Sequence, residues 1–562
     1  MYKGLQTLYL CMAKYFLLLM LVFCGASAQK GAVKITYNRY SHDKLVQPHD
    51  PILAFADAHR TVITTSGNLA GTSSRPFEQT MVSGSRMTQA ALLQSGKYIF
   101  TSDSTSILDQ KFELKPDRKK ILGYDCAKAV TIVNSNTIEI WYTTATGFKA
   151  APSTLGIGLG TVLELVRNGN FALRAEKVEK LKSIPQHALA PFANPATVDM
   201  LTYRDRLWKS RFVTVPIFKD ETINFTDSPA AADSVFRFAK GTVIARKVRF
   251  PDFGKGSRVF LDVSSRSDGD AYDRTGSIIL MPDGPGTFME GIREGAKSLP
   301  VYENGNGKKY QGVVRMASYE PSLELMRFFT PFGVGKYNTI KLKGRTWQDS
   351  AYYRQDISDL APALRKREVW IAANISNYDK GGHKLAANIT IHPEDPPTPE
   401  YSVVLPLFNT NSFLEVAGQD YATMFDVEKG LEVEFELERD VTGAVLRYIT
   451  TGHGGWENGD EFVKKTNTIF LDGQKIHSFI PWRDDCGSYR LLNPASGNFP
   501  NGLSSSDYSR SNWCPGMTAI PVEIPLGDLK KGKHTLRVQI PQGKPEGGSF
   551  SSWNVSGVLL GK

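Results

Sequence analysis

Apolar positions recur along the chain with a period of two. Thr137-Ile138-Glu139-Ile140-Trp141-Tyr142, Val259-Phe260-Leu261-Asp262-Val263 and Leu536-Arg537-Val538-Gln539-Ile540 alternate apolar and polar side chains, and Gly, Asn, Asp and Pro punctuate the intervals. Alternation of this kind places one face of a strand in a core and the other in water, and short strands at regular spacing without long helices describe sandwiches or jelly rolls. Thr161 to Leu165 is the clearest helical expectation, and it is short. Two breaks divide the pattern: a charged stretch giving way to Asp227-Ser228-Pro229-Ala230, and the Pro-rich connector His392-Pro393-Glu394-Asp395-Pro396-Pro397-Thr398-Pro399. The expected organisation is a leader over 1–28, an N-terminal β-rich accessory domain over 29–205, a linker over 206–238, and two further β domains over 239–395 and 396–562.

The one long apolar run lies at the start. Lys3 and Lys14 precede Tyr15-Phe16-Leu17-Leu18-Leu19-Met20-Leu21-Val22-Phe23, and Ala26-Ser27-Ala28 follows; a charged, then apolar, then small-x-small order reads as a cleaved secretory signal. The run is too short to span a bilayer as a mature helix, so a secreted or periplasmic protein without stable membrane insertion is expected. Removal of that segment takes Cys11 and Cys24 with it and leaves Cys126, Cys486 and Cys514. In an oxidising compartment Cys486 and Cys514, which share a Ser/Asn/Gly-rich region, are expected to pair, closing a loop for about 3–4 kcal/mol in the chain-entropy view. Cys126 then reads as a buried structural thiol.

Composition narrows the function classes. Over 562 residues the chain is 22% charged and 41% hydrophobic, enough apolar content for packed cores, and its formal net charge is +10. Acids are interspersed among the basic residues along strands, the pattern of solvated faces and not of a nucleic-acid track. No HExxH, CxxC pair, Walker loop or GxSxG elbow occurs, and the nine histidines are scattered, so neither a metal nor another cofactor is expected. Gly156-Ile157-Gly158-Leu159-Gly160 reads as a turn in a β domain.

Two loops carry candidate chemistry. Asp268-Gly269-Asp270-Ala271-Tyr272-Asp273-Arg274 offers three carboxylates beside a cation; Tyr272 interrupts an EF-hand spacing, which leaves a carboxylate that holds or activates water. The second is Thr451-Gly452-His453-Gly454-Gly455-Trp456 leading to Gly459-Asp460-Glu461-Phe462, joined later by Arg510-Ser511-Asn512-Trp513-Cys514-Pro515-Gly516-Met517. Aromatic platforms, an acid and an arginine in Gly-rich loops suit a glycan surface.

Taken together, these segments resemble the peptide-N-glycosidase F family, the bacterial peptide-N4-(N-acetyl-β-glucosaminyl)asparagine amidases. The resemblance runs from about residue 240 to the C-terminus and rests on Asn512-Trp513-Cys514-Pro515-Gly516-Met517 with Arg510 ahead of it, on Asp270, Tyr272, Asp273 and Arg274, on Arg327-Phe328-Phe329-Thr330-Pro331, on Glu461-Phe462 before Thr466, Thr468 and Ile469, and on Tyr401-Ser402-Val403-Val404. It implies two adjacent jelly-roll β-sandwich domains with the active site in the cleft between them, and a monomeric enzyme acting on N-linked glycopeptides or glycoproteins without nucleic acid or cofactor. Carried over, the essential aspartate falls on Asp273, the adjacent arginine on Arg274, the second carboxylate on Glu461 and the active-site arginine on Arg510, with Arg274 and Arg510 expected to hold Asp273 and polarise the amide carbonyl. Asp270, Tyr272, Asn374, His453, Trp456, Phe462 and Trp513 are the expected substrate-binding residues. Departures also stand out: Asn374 replaces the family's third carboxylate, Gly269, Gly459 and Val463 replace cysteines, and Thr451 replaces a tryptophan, which implies an altered glycan pocket. The other readings of these residues are an endoglycosidase that cuts between sugars and a non-catalytic glycan-binding protein on the same scaffold. Residues 29 to about 205 have no counterpart in that enzyme; Gly123-Tyr124-Asp125-Cys126, Ile138-Glu139-Ile140-Trp141-Tyr142 and Leu155-Gly156-Ile157-Gly158-Leu159 weakly resemble a family of exported bacterial proteins with a Gly-Leu-Pro-Gly-Leu-Ile signature, for which a docking or stabilising role is expected.

Overall fold

The computed structural model describes residues 31–562 apart from 228–233, 334–338, 395, 412–419, 455–458, 498, 500–501 and 545–549; the leader and Trp456 lie outside the described residues. The chain divides into two compact units, one ending at Arg211 and the other spanning Phe212–Lys562.

The N-terminal unit is one long, almost wholly antiparallel sheet whose central strands include Ala32–Ser41, Phe171–Leu181, Thr161–Arg167 and Asn136–Thr143. Thr161–Leu165 is therefore strand and not helix. Its apolar residues are continuous because both faces are covered, and a short apolar run of that kind has no period to distinguish strand from helix. Val33, Ile35, Tyr37, Ala54, Trp141 and Leu163 form one core, in which Cys126 is fully buried as a free thiol. The glycine-rich stretch is a turn: Ile157–Leu159 is a single 3-10 turn between Gly156 and Gly160, both at positive φ.

The second unit contains two jelly rolls. In the first, Val213–Ile223, His383–His392, Arg258–Ser267 and Ala351–Asp356 form one sheet, and Phe236–Phe238, Val243–Arg249, Glu368–Ile375, Thr275–Met281 and Leu323–Phe329 form the main part of the facing one. Alternation drives the packing: Val259, Leu261 and Val263 enter the core while their neighbours face outward. The expected linker at 206–238 is corrected by this sheet, because Val213–Ile223 pairs along Ile391–His383 and fills the core with Val215, Ile217 and Phe218. Charged and polar residues on its outer face disguised it as a connector.

In the second roll, Val403–Asn409, Ser552–Gly561, Val441–His453 and Val522–Leu529 face Leu431–Leu437, Gly532–Gln539, Asn467–Leu471 and Gln474–Phe479. The rolls are stitched to each other. Thr518–Ala519, from the C-terminal half, pairs with Arg327 and Phe328 of the first roll, and Arg447 reaches Asp359 across the boundary at 2.8 Å. Leu323–Phe329 is buried at all seven positions because it is covered by both rolls. Cys486 and Cys514 form the expected disulfide.

Candidate active site

Asp273 and Arg274 end the loop that feeds strand Thr275–Met281. That loop is pinned at its base, where Asp268 N–H donates to Gly382 O at 2.8 Å and Ser267 Oγ donates to Asp270 O at 2.5 Å. It is clamped at its end by Thr330, which accepts from Arg274 N–H at 2.8 Å and donates its own N–H to Arg274 O at 2.9 Å. From the second roll, Glu461 follows the end of strand Val441–His453 and is tied down by Ser511 N–H donating to its carbonyl at 2.9 Å. Arg510 sits on a two-way backbone bridge with Arg483. The Cys486–Cys514 bond fastens the same segment a few residues on.

These elements converge on one guanidinium. Arg510 Nη1 donates to Glu461 Oε1 and lies 3.3 Å from Asp273 Oδ2, while Nη2 donates to Ser505 O at 2.5 Å and to Ser505 Oγ at 3.0 Å. The Arg510 side chain is 1% exposed, its plane set between Phe462 (5.0 Å) and Trp513 (4.4 Å). Asp273 and Glu461, 15% and 17% exposed, are the members of the trio open toward solvent. Two carboxyl groups thus share one cationic nitrogen, and among the described residues Asp273 Oδ2 and Arg510 Nε have no hydrogen-bond partner. Burial pushes the Glu461 carboxyl up to about 7, reinforced by the negative charge of Asp273 against the pull of Arg510. Asp273 is likewise raised by burial, against the pull of Arg510 and Arg274. Near neutrality such a pair holds a proton between its members, so one group donates while the other accepts.

Arg274 has another partner than expected. Its Nε and Nη2 donate to Asp270 at 2.6 and 3.1 Å, and Asp270 Oδ2 lies 3.3 Å from His383 Nε2. Although burial opposes ionisation, hydrogen bonds from His383 and Arg274 bring the Asp270 carboxyl down to about 2. Asp270 is thus a buried anion that orients Arg274, not a group facing substrate. Trp513 is corrected in the same way: 4% exposed, its Nε1 donates to Gly452 O at 2.8 Å and its ring stacks on Phe329 at 4.4 Å, so it supports Arg510 from below. Tyr272 is 61% exposed at the rim with Arg274 over its ring, and Phe462 packs edge-on against Phe499 and Tyr508.

His453 and Asn374 meet elsewhere, in a polar cavity of about 180 Å³ between the rolls, lined also by Ser277, Asn411, Ser552 and Asn554. Asn374 donates to Thr242 O at 3.2 Å and accepts from Ser376 Oγ at 3.0 Å. Under the cavity lies an ion pair absent from the expected set. Glu324 accepts from Arg327 Nε and Nη2 (3.0 and 2.7 Å), Ser277 Oγ (2.8 Å), Asn411 Nδ2 (2.8 Å) and Ser556 Oγ (2.5 Å). The signal was present in the sequence, since Leu323-Glu324-Leu325-Met326-Arg327-Phe328-Phe329 sets two opposite charges in an otherwise apolar strand, and such charges are buried only when paired. Among the described residues, no group of three or more His, Cys, Asp or Glu side chains gathers in a way that would hold a metal ion.

Three family models match the chain in order: N-glycanase peptide, N-terminal domain, over 35–205; peptide-N-glycosidase F, N terminal, over 214–391; and peptide-N-glycosidase F, C terminal, over 420–560. The solved structure of PNGF-II in space group C2 is 48% identical, with 94% of this chain and 98% of that chain covered and a TM-score of 0.89. The chain belongs to the peptide-N-glycosidase F family. The P21 crystal form of PNGF-II agrees, at 49% identity, 94% and 99% coverage and a TM-score of 0.90. A comparison with curated proteins returns no match. The N-terminal unit matches an N-glycanase domain model of its own over 35–205. Among the described residues, no helix is long and apolar enough to cross a membrane.

Proposed function

We propose that this peptide-N-glycosidase F family member is a secreted amidase. It hydrolyses the bond between asparagine and the first N-acetylglucosamine of an N-linked glycopeptide or glycoprotein. The observation that carries this reading is the sharing of Arg510 by Asp273 and Glu461, a pair assembled from both jelly rolls and poised to hold a single proton. Water attacks the side-chain carbonyl carbon, the C–N bond breaks, and the nitrogen leaves on the sugar as a glycosylamine while asparagine becomes aspartate. Asp273 orients the water and takes its proton; Glu461, whose carboxyl burial pushes up to about 7, supplies the proton that the departing nitrogen needs.

The arginines divide the remaining work differently from the sequence expectation. Arg510 is enclosed, with Nη1 turned to the two carboxyls, Nη2 taken by Ser505 and Nε buried, so it positions the two carboxyls and does not reach substrate. Arg274 gives Nε and Nη2 to Asp270 and keeps Nη1 for the amide oxygen, where a preorganised cation stabilises the developing oxyanion. Family membership and the 48% identity to PNGF-II support the assignment. The test is a glycopeptide digest in heavy-oxygen water read by mass spectrometry. Conversion of asparagine to heavy-oxygen-labelled aspartate with release of the intact glycan is expected. A residual N-acetylglucosamine on asparagine would replace this reading with cleavage between sugars, and binding without any product would leave a lectin.

A further inference from the structure

We propose that Arg327, acting through Thr451, fixes the tautomer of His453 so that this ring presents an Nδ1–H donor to an oxygen of an N-acetylated sugar in the polar cavity between the rolls. The substrate side of this inference rests on the amidase reading above. The relay itself rests on three contacts. Arg327 is fully buried and held by Glu324, and its Nη1 donates to Thr451 Oγ1 at 2.9 Å. Thr451 Oγ1 in turn lies 2.8 Å from His453 Nε2. An arginine side chain carries donors only, so it occupies a lone pair of the threonine oxygen. The hydroxyl hydrogen then needs an acceptor; Thr451 has no exposure to solvent, and His453 Nε2 is the acceptor within reach. Turning the contact round, with His453 donating, would strand that hydrogen in the interior, which is costly.

Nε2 is therefore unprotonated, and in a neutral imidazole the proton belongs to Nδ1. The charges facing the ring keep it neutral: burial first, then Arg327 and Arg510, bring His453 down to about 3. The remaining surroundings are aromatic, with Phe329 at 5.8 Å and Trp513 at 5.4 Å between ring centroids. Nδ1 has no partner among the described residues, while the ring lines the same 180 Å³ cavity as Asn374 and Ser277. Trp513 also lies under Arg510, so one indole spaces the donor from the carboxyl pair. In this arrangement Arg327 and Thr451 are positioning residues and His453 is the group that touches sugar.

Thr451→Val removes the hydroxyl at nearly constant shape, and Thr451→Ser retains it. Heteronuclear NMR of the imidazole nitrogens in the wild-type protein at neutral pH should show His453 protonated on Nδ1. The valine variant should lose that preference and the serine variant should keep it. With glycopeptide substrate, Thr451→Val should raise KM about 3–10-fold, the effect of one neutral hydrogen bond, with kcat within about twofold, and Thr451→Ser should restore KM. Proton on Nε2 in the wild-type protein overturns the relay even if the valine variant does not fold. An unchanged KM in a folded Thr451→Val enzyme overturns the sugar contact. If the wild-type protein releases no glycan, the amidase reading fails by itself, and titration with N-acetylglucosamine then decides this inference: a shift of the His453 resonances that Thr451→Val abolishes supports it, and no shift overturns it.

Discussion

Two arginine–glutamate pairs lie where the jelly rolls meet, and they are built to opposite ends. Glu324 receives five hydrogen bonds, two of them from Arg327, and although burial opposes its charge those donors keep its carboxyl below the usual range. Glu461 shares Arg510 with a second carboxyl and is pushed up to about 7 by burial. Both are acids beside a buried arginine. The difference lies in how many donors surround each acid: a fully satisfied charge is inert and fixes the register of the rolls, whereas an under-supplied one retains a proton that it can give or take.

The largest break in this comparison comes from the under-supplied pair. Asp273→Asn should leave the fold intact, because Asp273 Oδ2 has no hydrogen bond to lose, while kcat falls by about 10²–10⁴. Glycan release read against the melting temperature checks both halves; an active, stable Asp273→Asn enzyme would remove Asp273 from the chemistry. At the satisfied pair the expectation inverts. Arg327→Met strands Glu324 in the interior and should cost about 3–5 kcal/mol in denaturant unfolding, a loss of stability accompanied by the higher KM of a released His453 and not by a collapse of kcat.

The pairs should also respond to pH with opposite signs. Between the unfolded carboxyl value of 4.5 and about 7 the folded Glu461 binds a proton that the unfolded chain has released, so its contribution to stability declines as pH rises through that window. Glu324 is depressed in the folded state, so its contribution is present above 4.5 and is lost as pH falls through its folded value. Melting curves of wild type, Glu461→Gln and Glu324→Gln across pH should show the first variant gaining on wild type as pH rises and the second gaining as pH falls. Parallel curves for both variants would erase the distinction between the sites.

Much of this arrangement was legible in the residues. Alternation at Val259–Val263 and Leu536–Ile540 marked sandwich strands, and the trio Asp273, Glu461 and Arg510, drawn from distant loops, does meet. What was hidden depended on three-dimensional competition. Arg274 is adjacent in sequence to Asp273 yet pairs with Asp270, because the loop turns the earlier carboxylate under it beside His383. Trp513 has the composition of a sugar platform, but Arg510 and Phe329 cover its two faces. Val213–Ile223 was hidden by its polar outer face, and Thr161–Arg167 by apolar residues on both faces.

Asn374 gives the smallest and most discriminating test. It stands directly opposite Ser277 in the sheet, and Ser277 gives its hydroxyl to Glu324. A carboxylate at 374, which the family resemblance places there, would bring a second negative charge toward a site that contains one compensating arginine. The amide is neutral and is already anchored to Thr242 and Ser376, so it shapes the cavity without joining the proton chemistry. Asn374→Ala should therefore raise KM by about 2–10-fold with kcat unchanged, the size of one neutral hydrogen bond. Steady-state kinetics on one glycopeptide decide the matter. A collapse of kcat in this variant would move Asn374 from the satisfied network into the reactive one, and the boundary between the two regions would have to be redrawn through the polar cavity.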